Sequence, residues 1–159
     1  MTRSICDLAD DYPQLARIAE PLFHDYGALR QFGGRIATLR CFEDNVLLRS
    51  VLSTPGDGRV MVVDGGGSIR RALVGDKLAA LMLKNHWAGI VVNGAARDIE
   101  HLNRMQVAVR ALNICPAKPA QLGSGEQNIE LQFAGVTFRP NEWLYADENG
   151  LIVSAEPLS

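Results

Sequence analysis

The sequence has 159 residues, 47% of them hydrophobic and 21% charged, with a formal net charge of -2. This length and mix suit one globular domain spanning 1–159, able to bury about 70% of its unfolded surface without a metal or disulfide staple. The charge balance leaves no footprint for direct nucleic-acid binding, and no uncharged run nears the roughly 18 residues a membrane-spanning helix needs.

At the start of the chain, MTRSICDLADDY carries acids early and has no apolar h-region, which argues against a secretion signal. Ser4 with Asp7 three residues later resembles a capping box and predicts a short first helix. Pro13 and Pro21 punctuate the segment after that helix. Residues 35–42 partly alternate and read as a strand. Asp44 then stands where it can cap an amphipathic helix with Val46, Leu47, Val51 and Leu52 turned inward. A turn is expected at 55–58, then a buried strand at 60–63 ending in Asp64 and three glycines. From Asp76 to about Asn85, Leu78, Leu81 and Met82 share one helical face. A strand at 89–92, a short helix at 99–105 and a strand at 107–114 complete the pattern. This alternation predicts an α/β core with parallel strands. Residues 128–154 read as short strands with turns at Ala134-Gly135 and at 148–150, a β-rich flap or second sheet of the same domain.

Most familiar chemistries find no support. Cys6, Cys41 and Cys115 are odd in number and far apart, which suits free structural thiols in a reducing cytoplasm. His24, His86 and His101 form no HExxH and no local ligand pair, so they read as surface or helix-end residues. Gly65-Gly66-Gly67 follows a strand, but Arg70 stands where a dinucleotide fingerprint needs its last glycine, and no Walker A or GxSxG exists. The glycine run reads as a tight turn that lets another segment approach closely.

The remaining constellation is Asp76 with Arg97-Asp98. Each acid lies where an apolar segment hands over to a helix, and twenty residues separate Asp76 from Arg97. Two successive junctions so spaced can lie side by side at one sheet edge, where α/β sites form. From spacing alone the plainer account is the stronger: both acids are helix N-caps and Arg97 makes an ordinary surface pair. The chemical account has three parts. The helix opening at Gly75, Asp76, Lys77 and Leu78 offers backbone N–H groups to a carboxylate, with Gly75 letting a ligand come near. Arg97 can grip a carboxylate or offset enolate charge. Asp98 can bind a hard divalent cation, Mg²⁺ or Mn²⁺, with Asp76 orienting a water beside it.

At these residues, and along "EPLFHDYG" at 20–27, "FGGRIATLRCFEDN" at 32–45, "GRVMVVDGGGSIRRALVGDKLA" at 58–79 and "GVTFRPNEWLYADENGLIVS" at 135–154, the chain resembles a known family. It is similar to the RraA-like family, regulators of ribonuclease E activity, which also contains the class II 4-hydroxy-4-methyl-2-oxoglutarate aldolases. The resemblance covers nearly the whole chain. It implies a compact α/β/β domain with a swivelling-type β/β/α core, assembled as a homotrimer with sites near subunit boundaries. The aldolase branch shares the pattern of Asp, twenty residues, then Arg-Asp. By that resemblance Asp98 binds the divalent metal, Arg97 contacts a small 2-oxo acid substrate, and Asp76 holds a metal-bound water. The amides of Gly75 to Leu78 receive the pyruvate carboxylate. Some regulator-type members lack one or both acids, whereas this sequence keeps both. The implied activity is cleavage of 4-hydroxy-4-methyl-2-oxoglutarate to two pyruvates, with oxaloacetate decarboxylation on the side. Gly94-Ala95-Ala96 would then leave room for the ligand where the strand ends. Longer aldolases of the family carry a further C-terminal segment, and this sequence ends at Ser159. That difference motivates a second expectation, a non-catalytic regulator docking on ribonuclease E. A methyltransferase of menaquinone synthesis, another label attached to the family, has no GxGxxG-type loop here to support it.

Overall fold

The structure, a computed structural model, describes residues 3–159. Met1 and Thr2, the first residues of the stretch read for a secretion signal, lie outside the described residues. The first helix, α1 (Ile5–Asp11), begins where the Ser4 side chain accepts the Cys6 N–H. Asp7 does not complete a capping box. The Ile5 N–H is instead received by Asp147, a buried carboxylate from far along the chain. Two short strands come next, β1 (Arg17–Ile18) and β2 (His24–Tyr26), neither signalled by sequence periodicity. The first half continues with β3 (Phe32–Arg40), α2 (Val46–Leu52), β4 (Val60–Asp64), β5 (Ala72–Val74), α3 (Asp76–Lys84) and β6 (Gly89–Ala96). The second half adds α4 (Ile99–Leu102), β7 (Val109–Ile114), β8 (Glu126–Gln127), β9 (Leu131–Phe133), β10 (Val136–Phe138), β11 (Trp143–Asp147) and β12 (Gly150–Ser154).

The centre is the parallel set β3, β4, β6 and β7. Antiparallel strands extend it: β11, β12 and β1 beyond β3, and β2 beyond β7. β3 changes neighbours along its length. Phe32 to Arg35 pair with β11, and Ile36 to Arg40 pair with β4, so one strand joins both parts of the sheet.

Burial on both faces explains the unbroken apolar run of β4, as expected for a covered parallel sheet. Met61 and Val63 face a core shared with Leu48, Leu52, Leu78, Met82 and Leu102 from the helices. Val60 and Val62 face a core shared with Leu131, Phe138, Leu144 and Val153 from the late strands. Helices, parallel sheet and a second β layer thus stack as α/β/β. Among the described residues no helix is long and apolar enough to cross a membrane.

Some boundaries and faces depart from the sequence pattern. The strand expected at 35–42 runs Phe32–Arg40 and leaves Phe42 exposed. In α2 the buried residues are Leu48 and Leu52, one turn apart, while Val46 is exposed and Leu47 and Val51 are half-buried. Val46 precedes Leu48 by two residues, roughly 200° around the helix, so both cannot face the core. The helix at 99–105 stops at Leu102, and the strand at 107–114 begins its ladder at Val109. His24 is a surface residue, as expected, and lies in β2.

Candidate active site

The site forms because β6 outruns its neighbour. β4 pairs with Gly89 to Asn93, and β5 takes over beside the remaining residues, with Ala72 opposite Ala95 and Val74 opposite Ala96. The Arg97 N–H closes this pairing on the Val74 carbonyl at 2.9 Å. The chain therefore leaves the sheet at Gly75 and at Arg97 side by side, at the carboxyl ends of two parallel strands, where ligands bind in open α/β sheets.

Only one acid stands at the N-cap position its spacing suggested. Gly75 is the N-cap of α3, with Asp76 already in the first turn, whereas Asp98 is the N-cap of α4 but makes no side-chain bond to that helix. Asp98 takes a left-handed turn at φ 60°, a conformation that Asp tolerates better than most residues. Its Oδ2 reaches across to accept the Asp76 N–H at 3.1 Å. Arg97 Nε lies 3.8 Å from the same oxygen, and its Nη1 donates to the Pro116 carbonyl at 3.3 Å. Among the described residues Asp98 Oδ1 receives no hydrogen bond. A Cβ on Gly75 would stand 2.5 Å from Asp98 Oδ2, so glycine there admits this carboxylate in the first instance.

These groups line one cavity of about 280 Å³ that holds Gly75, Asp76, Lys77, Leu78, Arg97 and Asp98 together. Sequence reasoning missed the four other polar lining residues, Asn45, Arg49, Lys118 and Gln121. Asn45 is buried and donates to the Leu73 carbonyl at 3.0 Å, fixing the strand that leads into Gly75. Residues 116–123 form the far wall. Ala72 N–H binds the Ala117 carbonyl, Arg71 binds the Lys118 carbonyl, and Ala120 N–H binds the Glu43 carbonyl. Asp44 Oδ2 accepts the N–H groups of Leu122 and Gly123, while Oδ1 accepts that of Val46. Burial works to raise the Asp44 pKa, but these three donors outweigh it and hold the carboxyl below its ordinary range.

Gly94, Ala95 and Ala96 do not line the cavity. Ala95 and Ala96 are fully buried in the sheet, and a Cβ on Gly94 would stand 3.3 Å from Leu73, so small residues there admit β5 rather than a ligand. The glycine run is a tight turn, with Gly66 and Gly67 at φ 69° and 76°. Its amides are already engaged, Gly65 and Gly67 with the Asn93 carbonyl and Gly66 with Asp64, so they are not free to cradle a phosphate. Burial, chiefly, pushes the Cys41 thiol up to about 12, which suits a structural thiol and not a nucleophile.

Among the described residues no three His, Cys, Asp or Glu side chains cluster as metal ligands. A hard divalent cation needs no such cluster, since it keeps several waters and is bound by one or two carboxylates plus an oxygen-rich substrate. Asp98 could supply such a donor, with Oδ2 held by the Asp76 N–H. A larger cavity of about 540 Å³ lies by Phe23, Asp25, Arg110 and Leu151. Its one buried cation, Arg110, is occupied by Asp25 and the carbonyls of Arg30, Asp147 and Gly150.

Comparison with known proteins gives a consistent picture. A family model described as RraA-like, Aldolase/RraA, matches residues 2–153. A Stutzerimonas stutzeri protein provisionally named 4-hydroxy-4-methyl-2-oxoglutarate aldolase is 50% identical, over 96% of this chain and 94% of its own. One from Azotobacter vinelandii with the same provisional name is 49% identical over the same shares. Among solved structures, a Thermus protein described as the RNA-processing inhibitor RraA superposes with a TM-score of 0.95 at 43% identity, covering 100% of this chain and 96% of that one. A Geobacillus kaustophilus structure described as an S-adenosylmethionine:2-dimethylmenaquinone methyltransferase has a TM-score of 0.93 at 38% identity, covering 98% and 96%.

Proposed function

The chain belongs to the RraA-like family, and from that premise we propose that it is a divalent-metal-dependent aldolase cleaving 4-hydroxy-4-methyl-2-oxoglutarate to two pyruvates. The observation that carries this reading is the meeting of Asp98, Arg97 and the first turn of α3 around one cavity. The amides of residues 75–78, apart from that of Asp76, which Asp98 already holds, receive the C1 carboxylate, aided by the helix dipole. Asp98 holds the cation, Mg²⁺ or Mn²⁺, and when bound this ion supplies Lewis-acid polarisation of the 2-oxo group. Asp76 orients a water that takes the C4 hydroxyl proton. The electrons of the C3–C4 bond then pass into the C2–C3 enolate, and C4 becomes the ketone carbon of the first pyruvate. Arg97 offsets the negative charge that develops on the enolate oxygen. Protonation at C3 gives the second pyruvate. Oxaloacetate decarboxylation passes through the same enolate and is the expected side activity.

The test is pyruvate release. Purified protein with Mg²⁺ should release pyruvate from the aldol substrate and from oxaloacetate, and a chelator should stop both. Retention of full turnover by Asp98→Ala would overturn the site assignment. The expected assembly is a homotrimer, which light scattering checks, and three free thiols fit a cytoplasmic setting.

A second reading rests on the Thermus structural neighbour: a regulator that inhibits ribonuclease E by docking on it. A pull-down with ribonuclease E, repeated with Asp98→Ala, separates the two. Capture by both forms without pyruvate release supports the regulator.

A further inference from the structure

The large sheet curls but does not close. Its two edge strands are β1 and β2, and residues 19–23 run from one to the other across the gap. Ala19 N–H pins this crossing to the Leu151 carbonyl at 3.0 Å, and Glu20 N–H pins it to the Ala134 carbonyl at 2.8 Å. The larger cavity, about 540 Å³, opens along the gap. Ile5, Ile18, Phe23 and Leu151 give it apolar walls, and Phe23 is braced edge-on by Phe133, with ring centroids 6.0 Å apart. Its charge is negative. Glu20, Asp25 and Glu148 line it, with His24, against a single guanidinium, that of Arg110. Arg110 is already engaged by Asp25 and three backbone carbonyls. Among the described residues Glu20 and Glu148 have no ion-pair partner. The cavity shares no lining residue with the one at Asp98. β7 spans the interval: Arg110 lies near its start, opposite Val91, and Ile114 at its end, opposite Ala96. Four residues of strand put about 13 Å between them.

We propose that this cavity is a second ligand site, which binds an organic cation: an ammonium group carried on a small apolar body. The apolar body packs against Ile18, Phe23 and Leu151, and the ammonium meets the carboxylates of Glu20 and Glu148. Walls of low dielectric make that attraction stronger than the same charges would feel in open water. An anion is disfavoured, because the one guanidinium is engaged and the unpaired carboxylates repel it. A hydrated divalent metal gains nothing from hydrocarbon walls, which cannot replace its waters. The volume lies within the range of small-molecule sites, roughly 300–1,000 Å³, so a single-ring amine fits with room to spare. The site stands apart from the aldolase reading, since none of its residues enters that chemistry.

Three probes of similar shape isolate the charge: phenethylamine, an ammonium ion near neutral pH, 2-phenylethanol, its neutral counterpart, and 3-phenylpropanoate, an anion. Amide NMR spectra follow the titration of each into the full chain, wild type and Glu20→Gln/Glu148→Gln. Both acids are exposed, so the variant is expected to fold, and a thermal melt checks it. The wild type is expected to bind phenethylamine at least about tenfold more tightly than 2-phenylethanol, with 3-phenylpropanoate weaker still. The amides that shift are expected at residues 18–25 and 148–151, with those at 75–78 and 97–98 unmoved. The double variant should lose the preference for the ammonium ion while its affinity for 2-phenylethanol changes by less than about threefold. Failure of phenethylamine to saturate, equal binding of the alcohol, shifts centred on the Asp98 cavity, or a preference that survives in the variant would each overturn the site. The wild-type comparison decides even if the variant fails its melt.

Discussion

Asp98 Oδ2 accepts the Asp76 N–H and so tethers the start of α3, while in the proposed mechanism Oδ1 takes the cation. Asp98→Ala is therefore expected to lower turnover by roughly a thousandfold, several kcal/mol of lost catalysis. It should cost only about 1 kcal/mol of stability, the value of a lost cap-type bond, and paired kinetics and urea melts separate the two losses. Gly75→Ala attacks the same contact from the other side. The backbone at φ -138° accepts alanine, but the new Cβ meets Asp98 Oδ2 at 2.5 Å and displaces it. A loss in kcat/KM on the order of a hundredfold is expected, as for a misplacement of about 1 Å. Asp44 is tested by pH. Its carboxyl is depressed in the folded state, so it adds stability above an unfolded pKa of about 4, and that stability is lost as pH falls through the lower folded value. The stability lead of wild type over Asp44→Asn should hold above about pH 5 and narrow as pH falls below about 4 in parallel denaturation curves.

At the scale of elements, the decisive unit is the three-residue strand β5. It has no periodic signature of its own, yet its pairing with the end of β6 places Gly75 beside Arg97. Helix α2 shows how propensity and packing part company. Its apolar residues, Val46, Leu47, Leu48, Val51 and Leu52, outnumber the positions that can face the sheet, and only Leu48 and Leu52 are fully buried. Leu48→Ala should cost about 2–5 kcal/mol, whereas Val46→Ala should change stability by less than about 0.5 kcal/mol, both read from chemical denaturation. The wall at 116–123 has neither helix nor ladder over most of its length, so it shows no pattern in sequence. It is fixed by Asp44, Arg71, Ala72 and Glu43, residues distant along the chain.

Across the whole molecule, Arg110 ties distant segments together. It is 4% exposed, pairs with Asp25, and donates to carbonyls of Arg30, Asp147 and Gly150, so β7 is bound to β2 and to the β11–β12 turn. Arg110→Ala leaves these carbonyls and the Asp25 carboxylate without their donor. It should lower stability by about 3 kcal/mol, a drop in Tm of roughly 6–12 °C for a chain of this size. The sequence by itself determined the α/β alternation and the apolar runs at 60–63 and 89–92, and singled out Asp76, Arg97 and Asp98 as candidates, because hydrophobic periodicity and strand–helix junctions are local properties of the chain. It also carried the family, through motifs spread along its length. Only the tertiary structure decided that neither acid caps its own helix with its side chain, that Gly94 to Ala96 make room for β5, and that Arg49 and Lys118 share the cavity. Those facts depend on which strand end lies beside which, and on side chains reaching between segments far apart in sequence, where no local pattern records the contact.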